Sequence, residues 1–169
     1  MKRHPDTRIL ALEVRYRRFG FAALEAHPVR LLDLGTRTFT SAGILLQRLG
    51  PIISTSDPCM IVVKQPIHRQ ISHQNGARAN VQCIHAEAER RSIRIELLTI
   101  SEIRDLFQKH EATKDAMAMK IAQTFPELRW KLPPRRKPWI SEGHNMVIFD
   151  ATATGLAYLA RSEGKGTVP

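Results

Sequence analysis

Two continuous apolar runs, at residues 9–12 and 59–63, constrain the fold of this chain more than any other feature of its sequence. Neither run contains a charged residue that would face solvent, and this pattern is typical of strands buried on both faces of a sheet. A sheet that is covered on both faces needs helices on each side. Segments with helical periodicity lie between and after the two runs, so the predicted fold class is α/β.

The remaining segments predict the order of the elements. Residues 19–24 and 29–34 follow the first run through short turns, which indicates an antiparallel meander of three strands. A helix over 39–49, ended by Gly50 and Pro51, leads to the second buried strand. The later elements are a helix at 77–91, a fifth strand at 93–98, and helices at 99–107, 113–125 and 145–161. We therefore predict a five-stranded mixed sheet flanked by helices.

A length of 169 residues fits one domain, which we assign to residues 1–161, with a flexible tail at 162–169. The polar segment 67–76 is interpreted as a mobile connection before the second helix. Thr99 and Glu102 have the spacing of a capping box, which marks the start of the short helix after the fifth strand.

The sequence is strongly basic. It contains 26 Lys and Arg residues against 16 Asp and Glu residues, a formal net charge of +10. A charge of this size attracts polyanions, and nucleic acid is the expected partner, with DNA favoured. An anionic membrane surface is the competing interpretation, but no Lys-rich amphipathic helix stands out. No apolar run approaches the roughly 20 residues of a membrane span, so no membrane partner is expected.

Composition argues against several other classes of protein. Cys59 and Cys83 are too few for a disulfide framework, so reduced, buried thiols are expected. Residues 1–8 have no apolar stretch of the kind that signal peptides contain, and a cytoplasmic location is expected. The sequence has no P-loop, no glycine-rich dinucleotide turn and no nucleophile elbow, which leaves ATPase, dehydrogenase and nucleophile-elbow hydrolase functions without support.

Three groups of basic residues are candidates for contacts with nucleic acid. Lys and Arg bind backbone phosphates, and neighbouring aromatic rings offer a surface on which bases stack. The groups are Arg15, Arg17 and Arg18 in the first hairpin turn, His68, Arg69 and Arg78 around the polar segment, and Arg135, Arg136 and Lys137 between Trp130 and Trp139. The alternative for any one group is an ordinary solvated face. No base-reading element is evident, so recognition of shape or backbone is expected.

Several short motifs occur in one order along the chain. They are the strand 9–13, which ends in an acid, then Gly20-Phe21-Ala22, the strand end 61–66, the segments 99–107 and 113–125, and Phe149-Asp150-Ala151 in a helix that runs to Leu159. In this order, and over most of the chain, the motifs resemble the RuvC branch of the ribonuclease H-like superfamily, the Holliday-junction resolvases. The resemblance implies a ribonuclease H-like fold.

The resemblance also implies a chemistry. Nucleases of this kind cut phosphodiesters with two divalent metal ions about 3.5–4 Å apart, Mg²⁺ or Mn²⁺, held by four mostly acidic side chains. The corresponding positions of this chain hold Glu13, Lys64, Val147 and Asp150. Glu142 is a candidate third ligand, provided that the last helix begins after it and the loop before the helix folds back. Two cuts in a junction need two active sites, so a homodimer is expected by analogy.

Three functional hypotheses follow. The first is a metal-dependent endonuclease for branched or structured DNA, with Glu13, Glu142 and Asp150 as catalytic metal ligands. The second is a nucleic-acid-binding module that keeps the fold but has lost catalysis, because Lys64 puts an ammonium group at the position of a metal ligand. The third is a protein-interaction or dimerisation domain.

Simpler interpretations of the same residues stay open. Glu13 at a strand end is also explained by an ion pair with Arg15 or Arg17, and Lys64 by a solvated strand end. Asp150 within an apolar helix needs a partner or a functional site, because an isolated buried carboxylate is unstable. The histidines and cysteines match no standard zinc-finger spacing, so a zinc site is not expected.

Overall fold

The structure is a computed structural model that describes residues 7–67, 72–107, 113–135, 137, 139 and 141–164. Its elements are β1 (Arg8–Val14), β2 (Arg18–Glu25), β3 (Arg30–Thr38), α1 (Ala42–Ser56), β4 (Met60–Lys64), α2 (Ser72–Arg90), β5 (Arg94–Leu98), α3 (Ile100–Leu106), α4 (Lys114–Thr124), a 3₁₀ helix (Pro126–Lys131) and α5 (Met146–Ser162). This order confirms the predicted order of strands and helices. None of the helices in the described ranges is long and apolar enough to cross a membrane.

The five strands form one mixed sheet, as predicted, and their order in the sheet is β3-β2-β1-β4-β5. β2 is antiparallel to both of its neighbours, β1 and β3. β4 is parallel to both of its neighbours, β1 and β5. The central strand β1 and its parallel neighbour β4 therefore end at the same edge of the sheet.

Helices cover both faces of the sheet. Side chains alternate between the two faces along each strand, so the continuous apolar runs put apolar side chains on both faces. On one face, Ile9 and Val62 pack with α3, α4 and α5. On the other face, Leu10, Leu12 and Val63 pack with α1 and α2. These five side chains are at most 3% exposed, so β1 and β4 are buried on both faces as their apolar runs predict.

α1 extends further than the sequence predicts. It spans Ala42–Ser56 and contains Pro51, so the prediction that it ends at Gly50 and Pro51 is wrong. Proline usually ends a helix, because it lacks an N–H and its ring crowds the preceding turn. Here Ile52 and Ile53 follow the proline and are buried against the sheet, and this burial outweighs the local preference.

α2 begins earlier than the sequence predicts. Residues 72–76 belong to the helix, so the segment 67–76 is not wholly a connection, and residues 68–71 lie outside the described residues. Gly76 brings this end of α2 against the β1–β2 turn. A Cβ on Gly76 would lie 2.3 Å from Cδ2 of the Tyr16 ring, so the close approach depends on glycine.

Two local predictions have different outcomes. The capping box is confirmed, because Glu102 N donates to Thr99 Oγ1 at 3.3 Å and Thr99 N donates to Glu102 Oε2 at 2.7 Å. The prediction of buried thiols is wrong, since Cys59 and Cys83 are both free and half-buried. The Cys59 thiol lies at the start of β4 and donates to Arg8 O at 3.1 Å, which places it at the rim of the core.

α5 packs directly on β1 and β2 and depends on a glycine for its closest contact. A Cβ on Gly20 would lie 2.3 Å from the backbone oxygen of Val147 in the first turn of α5. Gly20 pairs with Glu13 in the β1–β2 register. The contact therefore places the first turn of α5, and with it Asp150, at the edge where β1 ends.

Gly20→Ala is expected to lower the free energy of unfolding by about 1–3 kcal/mol, because the added Cβ would collide with the α5 backbone. Gly43→Ala is the matched control, since a Cβ there has no neighbour closer than 3.9 Å. Chemical denaturation of the wild type and both variants, followed by circular dichroism, measures the difference. Unchanged stability of Gly20→Ala would contradict the close packing of α5 on β2.

Candidate functional site

The site begins with an ion pair at the ends of β1 and β4. Leu12 and Val63 pair in the parallel register, so Glu13 and Lys64 follow side by side. Lys64 Nζ donates to Glu13 Oε1 at 3.0 Å, and the two residues are only 9% and 7% exposed. The interpretation of Lys64 as a solvated strand end is therefore wrong, because Lys64 is a buried partner of Glu13.

Asp150 lies in the second turn of α5 and shares its cations with Glu142. Arg15 Nη2 lies 2.5 Å from Glu142 Oε1 and 2.9 Å from Asp150 Oδ2. Lys114 Nζ donates to Glu142 Oε2 at 2.9 Å and to Asp150 Oδ2 at 3.1 Å. Because α5 begins at Met146, Glu142 lies before the helix, in a segment that folds back onto Asp150.

Arg15 joins the two sets of charges into one network. Its Nε lies 3.6 Å from Glu13 Oε1, and its Nη2 contacts Glu142 and Asp150. The acid–base network consists of three carboxylates, from Glu13, Glu142 and Asp150, and three cations, from Arg15, Lys64 and Lys114. When all six groups are ionised, their formal charges cancel. The network therefore satisfies its own charges without a further ion.

Burial and neighbouring charge act in opposite directions on the carboxylates of the network. Burial raises the pKa of Glu13 above its ordinary value of 4.5, and Lys64 offsets this only in part. Burial also favours the neutral form of Glu142, but hydrogen bonds from Arg15 and Lys114 outweigh it and hold that pKa below 4.5. The buried Glu13 carboxyl group is thus harder to ionise than the carboxyl group of Glu142.

The described residues do not fit the two-metal set that the resemblance implies. No group of three or more His, Cys, Asp or Glu side chains in the described ranges could hold a metal ion. Val147 is fully buried against the sheet and offers no donor atom, and Lys64 stands where the central acid is expected. Mg²⁺ or Mn²⁺ as a cofactor stays a prediction from the resemblance.

Sequence reasoning missed Lys114 as a residue of the site. Lys114 is the first residue of α4, directly after its N-cap Thr113. Its ammonium group reaches Glu142 and Asp150, which are 28 and 36 residues away in sequence. Lys114 does lie within the segment 113–125 that carries the resemblance, but nothing in its local sequence shows that it faces a carboxylate.

Asn80 is a second residue that the sequence did not reveal. It is a buried polar residue of α2, 8% exposed. Its Nδ2 donates to Arg15 O at 3.1 Å and to Tyr16 O at 3.2 Å. Asn80 therefore holds the β1–β2 turn, which carries Arg15 into the network.

The residues predicted to contact nucleic acid are spread over the surface. Arg17 and Arg18 lie in and after the β1–β2 turn, next to the acid–base network. Arg78 on α2, and Arg135 and Lys137 beyond the 3₁₀ helix, are exposed. His68, Arg69 and Arg136 lie outside the described residues. The structure thus joins the hairpin group to the network, through Arg15.

Two exposed tryptophans lie among the later basic residues. Trp130 and Trp139 are 77% and 78% exposed. Lys131 Nζ lies 3.9 Å from the centre of the Trp130 ring, and Lys137 Nζ lies 5.8 Å from that of Trp139. Exposed indole rings beside ammonium groups offer a stacking surface and a phosphate contact together.

A cleft of about 400 Å³ opens over the Glu13–Lys64 pair. Its lining includes the four cations Arg15, Lys64, Arg104 and Lys114, and among the described lining residues Glu13 is the one acid. The cleft is therefore suited to an anionic ligand, even though the network beneath it is neutral as a whole.

No family model matches this sequence, and no curated protein matches it. Solved structures do match. Thermus thermophilus RuvC in complex with a Holliday junction substrate has a TM-score of 0.69 at 12% identity, over 94% of this chain and 97% of that chain. The yeast mitochondrial Holliday junction resolvase has a TM-score of 0.65 at 9% identity, over 92% and 80%. The fowlpox virus resolvase with its Holliday junction DNA has a TM-score of 0.58 at 8% identity, over 92% and 98%.

These matches cover nearly the whole chain and share its five-stranded mixed sheet flanked by helices. The chain has the ribonuclease H-like fold. Fold does not by itself imply activity, and at such low identity the likeness shows the fold alone. The function must therefore be argued from the side chains that meet where β1 and β4 end and α5 begins.

Lys64→Met is expected to lower the free energy of unfolding by about 3–5 kcal/mol, because it leaves the buried Glu13 carboxylate without its partner. The double variant Glu13→Gln/Lys64→Met removes both charges and should recover most of that loss. Urea denaturation of the wild type, Lys64→Met, Glu13→Gln and the double variant completes the cycle. Simple addition of the two single effects would contradict a coupled buried pair.

Glu142 is expected to make stability depend on pH. Because its folded-state pKa lies below the ordinary value of 4.5, its ionised form stabilises the fold above that pH, and the contribution is lost as the pH falls through the folded-state value. The stability of the wild type relative to Glu142→Gln should therefore be greatest at about pH 7 and shrink toward about pH 3. Thermal denaturation across this range tests the sign. A difference that grows toward acid pH would contradict it.

Proposed function

We propose that this protein binds nucleic acid, with branched DNA as the favoured ligand, in the cleft over the Glu13–Lys64 pair and does not cut it by metal-dependent hydrolysis. The observation that carries the proposal is the buried ion pair, with Lys64 Nζ at 3.0 Å from Glu13 Oε1. An ammonium group at this position attracts phosphate but does not activate water for attack on phosphorus.

Electrostatics supports binding of a polyanion. The chain carries a formal net charge of +10, and the charges of the acid–base network cancel, so the excess of positive charge lies elsewhere on the molecule. Arg104 lines the cleft, and Arg17 and Arg18 lie beside it. A strand drawn to this edge by long-range attraction would meet arginines at the rim before it reached the network.

The same ion pair argues against a divalent metal at Glu13. A metal ion bound to the Glu13 carboxylate would lie within a few ångströms of the Lys64 ammonium group, and like charges repel strongly in a poorly solvated site. Arg15 and Lys114 hold Glu142 and Asp150 in the same way. Metal binding would therefore have to displace three cations from their carboxylates.

Solved structures with the same fold favour branched DNA over other nucleic acids. The matched structures of Thermus thermophilus RuvC and of the fowlpox virus resolvase are complexes with Holliday junctions. The sheet edge that carries Glu13 and Lys64, with Asp150 of α5 beside it, is the edge at which the resemblance puts the resolvase site. A homodimer stays a prediction from the same analogy.

The second candidate is the metal-dependent endonuclease. One observation favours it, which is that Glu13, Glu142 and Asp150 all contact the single guanidinium group of Arg15. The three carboxylates lie close together, so they would form an open acidic set if Arg15, Lys64 and Lys114 moved away from them. This candidate requires cleavage in Mg²⁺ or Mn²⁺ that depends on Asp150.

A binding and cleavage assay on a labelled four-way DNA junction separates the two candidates. We expect the wild type to bind the junction, and we expect the affinity to fall at least about tenfold between about 50 and 200 mM salt. We expect no cut product in Mg²⁺ or Mn²⁺. Plain duplex and single-stranded DNA serve as substrate controls, and Asp150→Asn and Lys64→Glu are run beside the wild type.

Each other outcome has a definite meaning. Cutting by the wild type that Asp150→Asn abolishes would replace the proposal with the endonuclease. Cutting by Lys64→Glu alone would support the proposal and identify Lys64 as the residue that prevents catalysis. Indifference of the wild type to every nucleic acid at physiological salt would refute both candidates and leave a protein-interaction domain.

A further inference from the structure

A second cavity, distinct from the cleft, lies between the β1–β2 turn and the start of α1. Its volume is about 530 Å³. Four arginines line it, Arg15, Arg17 and Arg18 from the hairpin and Arg48 from α1, together with the hydroxyl residues Thr38 and Thr40. None of its lining residues is acidic. We call this cavity the arginine pocket.

Arg17, Arg18 and Arg48 differ from the arginines whose charge is paired within the protein. Arg30, Arg90 and Arg161 each form salt bridges with nearby glutamates. By contrast, no carboxylate in the described part of the chain forms a salt bridge with Arg17, Arg18 or Arg48, whereas Arg15 is paired within the acid–base network. Three guanidinium groups without counter-charges give the cavity a strongly positive potential, which favours an anionic ligand.

Arg18 supplies an independent sign of a missing partner. Its Nε is buried and has no hydrogen-bond partner among the described residues. Buried donors in folded proteins are nearly always paired, since an unpaired one costs about 1–3 kcal/mol. Arg18 also lines the arginine pocket, so a guanidinium group with an unpaired donor lies beside a cavity that suits an anion.

Three hydrogen bonds between the hairpin, the end of β3 and α1 hold the residues around the pocket in place. Arg15 N donates to Arg18 O at 2.8 Å, which closes the hairpin turn. Phe39 N donates to Arg17 O at 3.0 Å, and Arg48 Nη1 donates to Thr38 O at 2.6 Å. The first two bonds fix the backbone around the cavity, and the third holds the Arg48 side chain, so Arg48 needs little reorganisation to meet a ligand.

We infer that the arginine pocket binds one backbone phosphate of the nucleic-acid strand that occupies the cleft. Arg15 lines both cavities, so a polymer lying over the Glu13–Lys64 pair can extend into the arginine pocket. The planar guanidinium fork matches two phosphate oxygens at once, and neighbouring hydroxyl groups can donate to a third. The inference rests on the proposed function and adds to it the group that is recognised and the place where it binds.

Arg48→Gln tests the inference, with Arg94→Gln as the matched control. Arg94 is exposed at the start of β5, at the end of the sheet opposite to Lys64, and its loss changes the net charge by the same amount. We expect Arg48→Gln to weaken junction binding about tenfold at low salt and to reduce the slope of log Kd against log salt by about 0.9, the value for one phosphate contact. Arg94→Gln should leave the slope unchanged.

A chemical replacement on the DNA side tests the same contact. A neutral methylphosphonate is placed at successive positions of one junction strand. At one position it should weaken binding by the wild type about tenfold, and it should have no further effect on Arg48→Gln. Equal sensitivity of the wild type and Arg48→Gln at every position would overturn the inference, as would an Arg48→Gln slope equal to that of Arg94→Gln.

Inorganic phosphate separates this inference from the proposed function. Its binding is followed by nuclear magnetic resonance of the Arg18 Nε–H group, in the wild type and in Arg48→Gln. Normal junction binding with no Arg48 effect leaves the proposed function standing and refutes the phosphate subsite. If the wild type binds no nucleic acid but phosphate shifts the Arg18 signal, the proposed function fails and the pocket takes a free phosphate instead.

Discussion

The buried ion pair between Glu13 and Lys64 is the interaction on which the rest of the site depends. Each charge alone would be strongly destabilising between two strands that are apolar on both faces, and each is tolerated because the other lies 3.0 Å away. The pair exists because β1 and β4 are parallel and end in register. Arg15 then connects this pair to the carboxylates of Glu142 and Asp150.

The acid–base network changes what the ribonuclease H-like edge can do. Carboxylates that face open space at such an edge would attract cations, whereas these carboxylates are already neutralised by Lys64, Lys114 and Arg15. The free positive charge lies at the rim, in the arginine pocket with Arg17 and Arg48. Under the proposed function, a polyanion would bind at the rim, and the inner network would provide shape and fixed charge in place of hydrolysis.

Much of the fold was predictable, because it depends on patterns that neighbouring residues carry. The burial of β1 and β4, the order of the elements and the capping box at Thr99 are all local signals. The end of α1 was not predictable, because burial of Ile52 and Ile53 on the sheet outweighs the local effect of Pro51. Glu13 and Asp150 were predicted as site residues, and Arg15 was named as a partner of Glu13, but the contacts of Lys64 and Lys114 with these carboxylates were not predicted.

By itself the sequence determined which segments form buried strands and which charged residues lie at their ends, since hydrophobic periodicity is a property of short stretches. Only the tertiary structure decided which of those charges meet. Lys114 contacts Glu142 and Asp150 across 28 and 36 residues, and Asn80 holds a turn that lies 65 residues before it. Such partners are set by the way α2, α4 and α5 pack on the sheet, and no local spacing in the chain records that packing.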